Sequence, residues 1–105
     1  MPLIRIEYDK VPESDIQTLS QAVRDIVSRV TGIADVFVYA NTSNIKIQVA
    51  PIEVFVEMSA HKIINIDELM ARLKSEVSSW KKSVEFRHPI NLSLIPMPWK
   101  VEIGI

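Results

Sequence analysis

The sequence predicts an α+β fold in which two β-α-β units build one mixed four-stranded sheet with both helices on one face. Three observations carry this expectation. Two segments of about eighteen residues repeat apolar positions at steps of three and four, as amphipathic helices do. Each is flanked by segments that alternate apolar and polar residues with a period of two, as half-buried strands do. The second set then repeats the order of the first.

Each element has a local cause. Pro2 to Tyr8 alternates, with Ile4, Ile6 and Tyr8 on one side and Leu3, Arg5 and Glu7 on the other. Ser14 followed by Gln17 matches a capping box, and Ile16, Leu19, Val23, Ile26, Val27 and Val30 mark a helix from Ser14 to Thr31. Gly32 suits a left-handed C-terminal cap, and the β-prone Val36–Ala40 follows it. After the polar turn Asn41–Asn44, Ile45, Ile47 and Val49 alternate with Lys46 and Gln48, which predicts a short hairpin strand.

Pro51 then opens a second unit, with Ile52, Val54, Val56 and Met58 alternating against Glu53, Phe55 and Glu57. Asn65 with Glu68 supplies an N-cap, and Ile66, Leu69, Met70, Leu73, Val77 and Trp80 form a helical stripe ending near Lys82. Past the link through Arg87, His88 and Pro89, Ile90–Leu94 alternates, and Val101, Ile103 and Ile105 predict a last short strand. Pro2 and Pro51, Ser14 and Asn65, and Phe37 and Asn91 are offset by 49, 51 and 54 positions, a structural duplication rather than a solenoid period. One domain over residues 1–105 is expected, with pseudo-repeats 2–49 and 51–105. The same rhythm is also compatible with a ferredoxin-like ligand-binding module, which would use one long strand where the break at Pro51 indicates two.

Composition narrows the function. The net charge of −1 lacks the basic surplus that phosphate-backbone binding uses, so nucleic acid is not expected as a partner. With no cysteine there are no disulfides, thiolate zinc sites or cysteine nucleophiles. Two glycines, Gly32 and Gly104, cannot write a dinucleotide fingerprint or a phosphate loop. No apolar run reaches the roughly 20 residues that span a bilayer, and a cytoplasmic protein with no membrane partner is expected. His61 and His88 stand 27 positions apart with no acidic ligand pattern beside them, so no metal site is expected. Arg5, Glu7, Glu53, Phe55 and Glu57 share the sheet face opposite the helices, which no element of one chain covers. A homotrimer that buries this face and pairs its ions is the simplest expectation.

The duplicated units that begin Met1-Pro2, together with Thr31-Gly32 closing the first helix, Pro51 opening the second unit and the Ser59-Ala60 step, resemble the tautomerase superfamily. That group includes 4-oxalocrotonate tautomerase (4-OT), carboxymethyl-hydroxymuconate isomerase and macrophage migration inhibitory factor. Trp99 also resembles a tryptophan of the cytokine-like branch. The resemblance covers nearly the whole chain and implies keto–enol tautomerisation of a small carbonyl acid, with no metal or organic cofactor. Pro2, freed by removal of Met1, would be the general base. An α-amino group titrates near 7.7–8.0, and an apolar pocket lowers that by disfavouring the cation, so the amine is ready to accept a proton.

Other implied contacts are the backbone N–H of Ala60 to the substrate oxygen and Asn91 and Ser93 where the cytokine-like branch has a tyrosine and an asparagine, while Trp99, outside any stripe between Pro98 and Lys100, is a candidate for an interface or a pocket wall. Ile33 stands where cytokine-like members carry a lysine, and Phe37 where 4-OT has an arginine. Lys62, Arg5 and Lys100 are the cations left to hold a carboxylate. Two bland alternatives stay open. Pro2 also suits the start of an edge strand, where no hydrogen bond is lost, and a trimer without the basic clamps could serve as a non-catalytic ligand-binding or structural protein.

Overall fold

A computed structural model describes residues 1–105. Its elements are β1 (Leu3–Tyr8), α1 (Glu13–Thr31), β2 (Phe37–Asn41), β3 (Ile52–Ser59), a single 3-10 turn (Ala60–Lys62), α2 (Ile66–Val84) and β4 (Asn91–Met97). The strands lie in the order β2-β1-β3-β4. β1 runs parallel to β2, β3 runs parallel to β4, and β1 and β3 meet antiparallel at the centre. In each unit the helix carries the chain from one strand to its immediate parallel neighbour, so no strand is inserted between the two as the split arrangement of a ferredoxin-like module requires.

Alternation decides what the sheet buries. Ile4 and Ile6 of β1 and Ile52, Val54, Val56 and Met58 of β3 are almost wholly excluded from solvent on the helix side. Against them pack all six stripe residues of α1 and Leu73 and Val77 of α2, with Leu69 and Trp80 partly buried beside them. Ile66, which the periodicity assigns to the same stripe, is exposed in the first turn of α2. At roughly 1.5–3 kcal/mol for each fully buried aliphatic side chain, this layer is the dominant favourable term in folding.

Helix ends follow the sequence with one exception. Gly32 caps α1 at φ 73° and its N–H donates to Ser28 O at 2.8 Å, while Asn65 Oδ1 accepts from Glu68 N at 3.0 Å. Ser14 does not cap α1. The helix begins one residue earlier because the carbonyl of Pro12 accepts from Asp15 N and Ile16 N at 3.0 and 3.2 Å, leaving Ser14 inside the first turn.

Two expected strands do not form. Ile45–Val49 and Val101–Ile105 are irregular, and Ile47 and Ile105 stand almost fully in solvent, 99% and 106% exposed. The outer edges of β2 and β4 stay unpaired, and neither segment adds to them. The 42–51 segment is instead tied to the end of β1. Asp9 N donates to Pro51 O at 2.9 Å, and Lys46 Nζ donates to Asp9 Oδ1 at 2.9 Å and to the Thr42 hydroxyl.

No helix is long and apolar enough to cross a membrane. His88 Nε2 lies 2.9 Å from Asp15 Oδ2, joining the approach to β4 to the first turn of α1, and His61 sits in the 3-10 turn.

Candidate active site

The register brings several candidate residues to one end of the sheet. Pro2 lies directly before β1, and its carbonyl accepts from Phe37 N at 3.1 Å as β2 begins. Leu3 pairs with Phe37 on one side and with Glu57 on the other, so the end of β3 and the turn at Ala60 leave the sheet at the same end. Ser59 pairs with Met97, which places Trp99 two residues beyond the same edge. Pro2, Phe37, Ala60, Lys62 and Trp99 therefore share one end of the fold.

Their environments differ. Pro2 is less than 2% exposed and continues the alternation of Ile4 and Ile6. With Met1 attached its nitrogen is an amide without basicity. Phe37 stands on the open face and is 46% exposed. Ala60 and Lys62 are exposed and Trp99 is half-buried. Ile33 is half-buried, and its N–H donates to Thr31 Oγ1 at 3.3 Å.

Asn91 is elsewhere. It pairs with Glu53, which pairs with Glu7, five residues along β1 from Pro2. At about 3.3 Å per residue that is roughly 16 Å, so Asn91 and Pro2 of one chain do not share a site.

On the open face the pairing aligns three rows of four side chains across the strands. One row is Phe37, Leu3, Glu57 and Ile95; the next is Tyr39, Arg5, Phe55 and Ser93; the third is Asn41, Glu7, Glu53 and Asn91. Arg5 is not free to hold a ligand. Its Nε and Nη2 donate to Glu57 Oε2 at 2.9 and 2.8 Å, Nη1 is 4.0 Å from Glu7, and the guanidinium lies 4.8 Å from the Phe55 ring centre. Lys62 is in no ion pair and shares a cavity with Thr31, Asn65 and Arg72 at the junction of the two helices. Arg72 carried no signal in the sequence, because one arginine on a polar helix face is indistinguishable from a solvated one.

Neither a family model nor a curated protein matches the sequence. Solved structures do match the fold. A malonate semialdehyde decarboxylase superposes with a TM-score of 0.69 at 10% identity, over 98% of this chain and 92% of that one. A macrophage migration inhibitory factor-like protein from Entamoeba histolytica gives 0.60 at 17% identity over 96% and 95% of the two chains. The asymmetric trimer of a fused wild-type 4-OT gives 0.65 at 11% identity over 94% and 91%. These similarities and the duplicated β-α-β topology agree: the chain has the tautomerase-superfamily fold.

Proposed function

We propose that this protein is a keto–enol tautomerase or isomerase of a small carbonyl acid, working as a homotrimer with Pro2 as its general base. The observation that supports the reading is the convergence of Pro2, Phe37, Ala60 and Trp99 at one end of a tautomerase-type sheet. Removal of Met1 turns the Pro2 nitrogen into a secondary amine in a dry setting, where the neutral form is favoured. That amine takes the proton from the enol oxygen and delivers one to the adjacent carbon, and a backbone N–H at Ala60 holds the oxygen as charge develops on it.

What one chain leaves uncovered supports the trimer. The sheet face bearing Arg5, Phe55 and Glu57 has no element over it, and Ile45, Ile47 and Val49 project from an unpaired segment. Neighbouring copies would cover both and would bring Asn91 of one chain toward Pro2 of another. A fused 4-OT of the same fold is itself described as a trimer.

A second reading is a non-catalytic ligand-binding or structural trimer. It is favoured by Ile33 and Phe37, which stand where related enzymes are expected to place cations. One experiment separates the two: the intact mass of protein from its native source, followed by enol ketonisation with wild type and Pro2→Ala. Loss of Met1 with a Pro2-dependent rate supports the enzyme, and retained Met1 with no such rate supports the alternative.

A further inference from the structure

We propose that folding and removal of Met1 exclude each other: an aminopeptidase takes Met1 only from a chain that has not yet folded, and a molecule that folds first keeps an amide at Pro2. This goes beyond the activity proposed above and does not depend on it. The tautomerase reading adds only that the trapped form would be inactive. The step itself is a hydrolysis. Water adds across the bond between the Met1 carbonyl carbon and the Pro2 nitrogen, its oxygen stays with the carboxylate of free methionine, and a proton goes to the nitrogen, which becomes a secondary amine.

The fold hides this bond. Met1 is half-buried and Pro2 is less than 2% exposed. The Pro2 carbonyl accepts from Phe37 N at 3.1 Å, and the next residue, Leu3, pairs with Phe37 on one side and with Glu57 on the other. The chain is therefore fixed in the sheet from the residue that follows the bond, which leaves Met1 alone outside the hydrogen-bonded strand. A peptidase has to hold the bond and the residue after it against its own catalytic groups, and a terminus whose backbone is buried and hydrogen-bonded resists that.

Exposing the bond means opening the centre of the sheet. Pro2 continues the row of Ile4 and Ile6, both fully buried, so withdrawing it breaks the bond from Phe37 N and begins to uncover that row. β1 lies between β2 and β3, and a strand paired on both sides belongs to the part of a fold that opens most rarely. The proportion of molecules with a free Pro2 amine is thus set during synthesis, by a race between processing and folding, and stays fixed afterwards.

The test follows the intact mass of the full-length chain bearing Met1 during incubation with a purified methionine aminopeptidase. A peptide of residues 1–10 and the Val23→Asp chain, whose core is disrupted, present the same bond without the fold. The folded chain should lose Met1 at least about a hundredfold more slowly than the peptide, because cleavage waits for the rare opened form. In graded urea, with the enzyme's activity on the peptide measured at each concentration, the loss should follow the unfolded fraction read by circular dichroism. That series carries the test even if Val23→Asp stays folded. Cleavage of the folded chain within about tenfold of the peptide rate would overturn the proposal. A peptide that is not cut at all would overturn it too, since Met1 would then be kept by the bond and not by the fold. Failure of the tautomerase reading is separate: a folded chain that resists the peptidase yet ketonises an enol with Met1 in place would sink that reading and leave this one standing.

Discussion

Arg5 of β1 and Glu57 of β3 form a cross-strand ion pair in which two guanidinium nitrogens, Nε and Nη2, converge on a single carboxylate oxygen at 2.9 and 2.8 Å. The pair sits diagonally across the strands, since Arg5 lies opposite Phe55 and Glu57 lies opposite Leu3. Glu57 is the better buried partner, with its side chain 16% exposed against 41% for Arg5. Its neighbours Glu7 and Glu53 face each other directly across the same two strands, a like-charge arrangement that costs stability in an isolated sheet. The open face thus holds one guanidinium against three carboxylates, and its single cation is committed within the chain.

The coupling between these two residues should be small but measurable. A double-mutant cycle with Arg5→Ala and Glu57→Ala, read by urea denaturation, should give about 0.5–1 kcal/mol, reduced from a buried-pair value by solvent screening. A coupling indistinguishable from zero would show that the pair is formed but contributes nothing to stability.

Val23 tests the helix layer. It is 2% exposed and faces the sheet, so Val23→Asp places an unpaired carboxylate in the core and should abolish the cooperative melt. A near-wild-type transition in that variant would mean that α1 does not pack as described.

The two helix ends give a matched pair of backbone tests. Glu85 caps α2 at φ 57° and Gly32 caps α1 at φ 73°, both in the left-handed region. A side chain is strained there, so Glu85→Gly should stabilise by about 0.5–1 kcal/mol and Gly32→Ala should destabilise by about 1 kcal/mol. No atom lies within 4 Å of a Cβ added at Gly32, so that loss isolates the backbone term from any clash. Thermal melts with opposite shifts in the two variants are the expected outcome.

The segment Ile45–Val49 shows where sequence and structure part. Its alternation is as clear as that of Leu3–Tyr8, yet only the latter is a strand. Period two states that a segment can pair and bury one face; it does not supply the neighbour. Ile4 and Ile6 find theirs within the chain, whereas Ile45 and Ile47 do not. The capping of α1 was obscured for a different reason. Ser14 and Gln17 have the right spacing, but the carbonyl of Pro12 accepts the first helical N–H groups, so the helix starts ahead of Ser14. The strand placement of Pro2 and Phe37 was legible from alternation, whereas their candidate roles came from the family resemblance alone. That Lys62 and Arg72 line one cavity was not legible, because it depends on how the turn after β3 meets the flank of α2, which no local pattern encodes.

In the proposed trimer a second copy would supply the missing neighbour. Light scattering at micromolar concentration should give three times the 11.9 kDa chain mass. Ile47→Lys should shift the population toward monomer, because Ile47 is 99% exposed in one chain and its replacement costs the isolated fold nothing. A monomer mass for wild type would rule out the trimer, and a dimer would require a different cover for the open face.

The last prediction concerns chemistry at Pro2. Protein lacking Met1 should ketonise the enol of phenylpyruvate, and Pro2→Ala should lower the rate by at least about tenfold, the smaller end of what a positioned general base contributes. Turnover should be slow and saturation poor, because Ile33 and Phe37 offer no charge to the carboxylate and Arg5 is held by Glu57. Pro2 is less than 2% exposed, so its ammonium form is disfavoured and the rate should rise with pH through a pKa below the 7.7–8.0 of a free α-amine. Protein retaining Met1 carries an amide at this nitrogen and should be inactive at every pH, which makes it the control for contaminating activity. A rate that survives Pro2→Ala, or one equal in the Met1-bearing protein, would assign the chemistry to another group and leave the non-catalytic trimer as the better reading.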